Sequence, residues 1–106
     1  MLGGVTRAFD VLAEPNRRRI LDALREGERP VGELVRALRL SQPAVSKHLR
    51  ALREAGLVEV RPAAQHRYYR IRAEPLRELD AWIAPYRRFW DERLDALESH
   101  LDKMED

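Results

Sequence analysis

Residues 30–71 read PVGELVRALRLSQPAVSKHLRALREAGLVEVRPAAQHRYYRI, and the order of apolar periods within that stretch decides the fold. Val31, Leu34, Val35 and Leu38 recur at i, i+3, i+4 and i+7, the spacing that lines one face of an α-helix. Leu40 and Ser41 interrupt the pattern; Ser41 suits the cap of a following helix, and Pro43 falls in its first turn, where a missing N–H costs little. Val45, Leu49 and Leu52 then resume the helical spacing to about Ala55, and Gly56 can take the left-handed conformation that ends a helix. Beyond it, Leu57, Val58 and Val60 begin a strand, with Tyr68, Tyr69 and Ile71 as its return partner. The segment Arg61 to Arg67 between them contains neither Gly nor Asn, so a loop longer than a two-residue primed turn is expected.

Two short amphipathic helices joined by a tight turn and followed by a hairpin describe a winged helix-turn-helix, which sets its second helix in the major groove of DNA. Upstream, Val5, Ala8, Phe9 and Leu12 mark a first helix that Glu14-Pro15-Asn16 should end, because a residue before proline is pushed out of helical geometry. A second helix starts at Pro15, turns Ile20, Leu21 and Leu24 inward and closes at Gly27. Arg17, Arg18 and Arg19 sit near its N-terminus, against the macrodipole, and should either pair with acids such as Glu14 and Asp22 or meet phosphate. The fold class is mainly α with a small β-hairpin, in the order α-α-α-α-β-β-α. One winged-helix domain is expected over residues 1–106, with a recognition helix at 42–55, a hairpin at 58–71 and a long C-terminal dimerisation helix at 75–104.

That last helix differs in kind. Leu76, Leu79, Ile83, Tyr86, Trp90, Leu94, Leu97, Leu101 and Met104 follow one another at threes and fours, as in a coiled-coil seam, and Trp82 and Phe89 widen it. A small helical core cannot cover so much apolar surface, so a second chain is expected to. Pro85 inside the pattern predicts either a kink or two helices meeting end to end.

Composition bounds the rest. A chain of 106 residues supports one core. The net charge of +2 conceals 15 Lys+Arg against 8 Asp+Glu in residues 1–72, hence +7, and 5 against 10 in residues 73–106, hence −5. A basic body suits a polyanion and an acidic tail suits protein contact. No apolar run is long enough to span a bilayer and MLGGVTRAFDVL does not read as a signal peptide, so no membrane and a cytoplasmic location are expected. The absence of cysteine excludes disulfides, thiolate metal sites and cysteine nucleophiles. With no Gly-rich phosphate loop and no nucleophile elbow, nothing points to an enzyme or a cofactor.

With Val45, Leu49 and Leu52 turned inward, the opposite face of that helix presents Pro43, Ser46, Lys47 and Arg50, with Ser41 and Gln42 at its N-terminal tip. Gln can pair with adenine through two hydrogen bonds, Lys can reach guanine acceptors or a phosphate, and Arg50 is placed for the backbone. Arg61, Gln65, His66 and Arg67 add a basic tip to the hairpin, suited to a narrow minor groove.

The segments LAEPNRRRILDAL, VGELVRAL, LSQPAVSKHLRALREAGLVEVR and RYYRI resemble the arsenic-repressor-type (ArsR) bacterial winged-helix regulators, and the resemblance covers nearly the whole chain. It implies a homodimer joined through its first and last helices, with the two fourth helices in successive major grooves of an operator. On that pattern Gln42, Pro43, Ser46 and Lys47 match the recognition positions and Arg67 the wing arginine, while Val5 and Phe9 join Leu79, Trp82, Ile83, Tyr86, Trp90, Leu94, Leu97 and Leu101 in the dimer interface. WIAPYRRFWDERLDALESHL further resembles the branch that lacks metal ligands. Only His100 lies on the last helix, among Asp95, Glu98 and Asp102, so no metal is expected and an effector, if any, is an unidentified small molecule or partner protein. The expected function is a sequence-specific dimeric repressor on a palindromic operator in double-stranded DNA; the alternatives are a nonspecific architectural DNA-binding protein, or a protein-interaction module using the C-terminal helix.

Overall fold

In the computed structural model, which describes residues 2–105, the turn between the two central helices is built as the local chemistry requires. Helix α3 (Val31–Leu38) ends at Arg39, which takes a left-handed conformation with φ 56° and donates its N–H to Val35 O at 2.9 Å. Two residues later the Ser41 hydroxyl accepts the Ala44 N–H at 3.2 Å, capping α4 (Gln42–Glu54) with Pro43 in its first turn. At the other end of α4, Gly56 (φ 76°) donates to Arg53 O and Leu57 to Leu52 O, both at 2.9 Å. This Schellman pair satisfies the last carbonyls and turns the chain into β2 (Val58–Ala63).

The hairpin departs from expectation. β2 pairs antiparallel with β3 (His66–Ile71) from Val58↔Ile71 to Ala63↔His66, so the connection is the two residues Ala64 and Gln65. Ala64 supplies the positive φ, 54°, that such a tight turn demands and that Gly or Asn normally provides. Six cross-strand pairs outweigh the cost of about 1–2 kcal/mol for one left-handed L-residue. A second correction concerns the element order. Arg29 and Pro30 form a short strand, β1, that pairs with Tyr69 and Tyr68 and makes a three-stranded sheet in the order β1-β3-β2. Two residues carry no period, so β1 has no sequence signature. Pro30 and Pro62 both lie on the outer strands of this sheet, where a missing donor breaks no ladder.

The core is the convergence of the apolar faces. Ile20, Leu21 and Leu24 of α2 (Pro15–Leu24), Leu34 and Leu38 of α3, Val45, Leu49 and Leu52 of α4, and Leu57 and Val58 are buried together with Val5 and Ala8 of α1 (Leu2–Leu12). Glu14 caps α2 by accepting the Arg17 N–H at 3.1 Å. The three arginines that follow answer helix carbonyls rather than acids. Arg17 donates to Val11 O, Arg18 to Leu12 O at 2.7 Å and to Ala13 O, and Arg19 to Leu38 O at 3.0 Å. They thereby place positive charge on the carboxyl ends of α1 and α3, where the dipole favours it.

α5 (Glu74–Glu105) runs as one helix through Pro85, so the expectation of two helices meeting end to end does not hold. Its seam divides. Leu79 is buried in the core and Leu76 is half-buried against it, in the region where α5 packs on α1, and Ile83 is half-buried. Every residue from Tyr86 to Met104 is exposed.

Candidate nucleic-acid interface and helix surface

Burial of Val45, Leu49 and Leu52 fixes the rotation of α4, and this leaves Gln42, Pro43, Ser46, Lys47 and Arg50 exposed along its opposite side, with Ser41 exposed at its cap. Arg50 pairs with Glu54 at 3.4 Å, but both side chains stand in solvent, where such a pair holds an arginine weakly. His48 does not belong to this face. Its side chain is 14% exposed and its Nδ1 lies 3.6 Å from Glu14 Oε2, at the junction of α1 and α2.

At the hairpin, His66 and Arg67 are exposed next to the turn, and the His66 ring lies 6.3 Å from that of Tyr68. Arg61 is not part of the free tip. It hydrogen-bonds the Glu28 carboxylate and stacks over the Tyr68 ring, 5.0 Å from its centre. The bond donated by Arg61 holds the Glu28 carboxyl below its ordinary value and, reciprocally, raises the guanidinium. Arg70 and Arg72 are likewise paired with Glu59 and Glu74. Among the described residues, Lys47, Arg53 and Arg67 pair with no carboxylate.

Arg53 was not singled out in the sequence. It follows Arg50 by three and Ser46 by seven, which puts it on the same side of α4 but turned toward the hairpin. A cleft of about 310 Å³ opens there, lined by Arg53, Val60, Pro62 and Arg67.

The second surface is apolar. The Phe9 ring meets Trp82 edge-on at 5.5 Å, and Trp82 lies 5.0 Å from Tyr86, so α1 and α5 present one continuous aromatic patch. Phe89, Trp90, Leu94, Leu97, Leu101 and Met104 extend it along α5, all more than half exposed. Of the ten expected interface residues, eight lie on or beside this patch. Val5 and Leu79 do not: each is 8% exposed and packed in the protomer's own core, because α1 and α5 close on each other there. Among the described residues no group of three or more His, Asp and Glu side chains converges on one point, and no helix is long and apolar enough to cross a membrane.

An HTH-type transcriptional regulator of Mycobacterium tuberculosis, Rv2034, is 39% identical over 100 residues, which span 94% of this chain and 91% of its own length. The family model described as bacterial regulatory protein, arsR family, matches residues 14–60. The chain belongs to the arsR family. An ArsR-like transcriptional regulator from Rhodococcus superposes with a TM-score of 0.73 at 28% identity, over 92% of each chain. The homodimeric winged helix-turn-helix DNA-binding domain of a possible ArsR-family regulator from Mycobacterium bovis superposes with a TM-score of 0.66 at 35% identity, over 88% of this chain and 83% of its own. The chain is a DNA-binding transcriptional regulator rather than an enzyme. The ArsR family match spans α2, β1, α3, α4 and the start of β2. The hairpin turn and α5 lie outside it, and their contribution rests on the geometry above.

Proposed function

We propose that this ArsR-family regulator is a homodimeric repressor that binds a palindromic operator, with Ser41, Gln42, Pro43, Ser46, Lys47 and Arg50 of each α4 in a major groove and His66 and Arg67 of each hairpin against the flanking backbone and minor groove. The observation that carries this reading is the exposed polar face of α4, whose rotation is pinned by three buried apolar residues and whose N-terminal turn is capped and free of acidic residues. A helix N-terminus of that kind attracts phosphate, while the side chains one and two turns later reach base edges.

The aromatic patch of Phe9, Trp82 and Tyr86, continued by Trp90 and the leucines of α5, supplies the self-complementary surface of a two-fold dimer. Charge supports the same division of labour: the −5 of residues 73–106 repels DNA from α5, and the +7 of residues 1–72 draws it to the body. The chain contains no cysteine, so any inducer acts without a thiolate-bound metal. As a regulator of bacterial transcription it works in the cytoplasm.

Selection of bound sequences from a random DNA pool, with the bound species sized by light scattering, tests the reading. The expected result is a palindrome with half-sites about one helical turn apart, held by a dimer. Retention of DNA without sequence preference at physiological salt, or a stable monomer at micromolar concentration, overturns it.

A further inference from the structure

We infer that Arg53 and Arg67 together clamp a single backbone phosphate in the cleft between α4 and the hairpin. The inference rests on the proposed docking of α4 in the major groove and adds a residue and a ligand group to it. If α4 enters the major groove and the hairpin meets the adjacent minor groove, the only part of the duplex between them is the sugar-phosphate strand that separates the grooves. The cleft between these two elements is lined by Arg53 of α4, Val60 and Pro62 of β2 and Arg67 of β3, so two of its four lining residues are arginines, one from the helix and one from the hairpin. Neither is engaged by a carboxylate, whereas Arg61, Arg70 and Arg72 of the same sheet region are all paired. The fold thus pairs Arg61, Arg70 and Arg72 with carboxylates and leaves without one the two arginines that line the cleft.

The chemistry fits a phosphodiester. A guanidinium presents a planar fork of donors that matches two phosphate oxygens, and two forks from opposite sides can share the oxygens of one phosphate. Val60 and Pro62 give the cleft an apolar floor suited to the carbons of a deoxyribose. Two like charges lining one small cleft repel each other in the free protein, and an anion between them relieves that repulsion. Arg67 accordingly positions the hairpin on the backbone instead of reading bases.

The test measures operator affinity against salt concentration for the parent protein and for Arg53→Gln, Arg67→Gln and the double variant. Arg25→Gln, an exposed arginine beside Ile71 and Ala73 at the base of the hairpin, controls for simple loss of charge. One shared phosphate predicts that the double variant's slope of log affinity against log salt is shallower by about 0.9, with Arg25→Gln unchanged. Between 50 and 200 mM salt the double variant then loses about 3.5-fold less affinity than the parent. A change of about 1.8 in the double variant means two independent phosphates and overturns the clamp, and a slope equal to that of Arg25→Gln removes both arginines from the backbone. Single methylphosphonate substitutions in the operator give a second readout on the unaltered protein. One neutralised phosphate per half-site must weaken the parent and have no further effect on the double variant. If no phosphate behaves so while the parent still binds its operator, the clamp fails and the docking of α4 stands; if the parent binds no operator, the docking itself fails.

Discussion

Replacing Trp90 by alanine separates a side chain held by the protomer from one held by a partner. Trp90 is 63% exposed and lies on the part of α5, from Tyr86 to Met104, where every residue is exposed. An aromatic side chain carries about 150–250 Å², so about 95–160 Å² of this one stands in water, worth about 2.4–4 kcal/mol if wholly covered at 25 cal/mol per Å². Covering half of it in a two-fold interface counts twice, giving about 2.4–4 kcal/mol per dimer. Trp90→Ala should therefore raise the dimer dissociation constant about 50- to 700-fold, at tenfold per 1.4 kcal/mol, while the melting of the isolated protomer hardly changes. Leu79→Ala is the contrasting case. Leu79 is 8% exposed inside the core, and its truncation should cost about 2–5 kcal/mol of protomer stability. Sedimentation equilibrium over a range of concentrations, with urea unfolding under dimer-free conditions, reads both quantities. A dissociation constant for Trp90→Ala within threefold of the parent, in a protein that remains folded, would refute the assignment of α5 as the dimer surface.

Lys47→Ala should weaken operator binding by about 1–3 kcal/mol with loss of discrimination at one position per half-site if Lys47 reads a base; equal weakening on all sequences with a shallower salt slope would assign it to phosphate. Ala64→Gly relieves the left-handed strain of the hairpin turn, about 1–2 kcal/mol, less the greater chain entropy of glycine, about 0.5–1 kcal/mol. Urea denaturation should show a small gain in stability, and a loss would show that Ala64 is not strained. The Glu28 carboxyl should titrate below the ordinary range by NMR and return toward it in Arg61→Gln, since the Arg61 bond is the main cause of the depression. Because its folded value lies below its unfolded one, what this pair adds to stability is present at neutral pH and fades only as the pH falls through that lowered value. Identical titration in parent and variant would separate Glu28 from Arg61.

Much of this was legible because periodicity reports burial directly. The inward faces of α2, α3 and α4 were readable as Ile20, Leu21, Leu24, Val31, Leu34, Val35, Leu38, Val45, Leu49 and Leu52; Val31 and Val35 are half-buried against the core and the other eight are buried. Ser41, Pro43 and Gly56 act at the positions their backbone chemistry suggests. The misreadings arose where a long-range contact overrode a local preference. The hairpin closes in two residues without Gly or Asn because the ladder holds Ala64 at positive φ, and β1 exists only because β3 passes beside Arg29 and Pro30. Arg17, Arg18 and Arg19 looked misplaced against the dipole of their own helix until α1 and α3 brought them carbonyls.

The sequence by itself determined the helix-turn-helix and hairpin, the face of α4 that stays free and the apolar seam of α5, since each follows from side-chain spacing along one element. Only the tertiary structure decided how that seam is shared. Leu76 and Leu79 continue the same period as Trp90 and Leu97, yet the first two pack on the protomer's own core and the others remain open. Period fixes the side of a helix on which a residue lies, whereas burial depends on what lies opposite, and α1 reaches only the first turns of a helix that extends well beyond it. The cleft holding Arg53 and Arg67 was invisible for the same reason: its two walls are fourteen residues apart in the chain and meet only when the hairpin folds back beside α4.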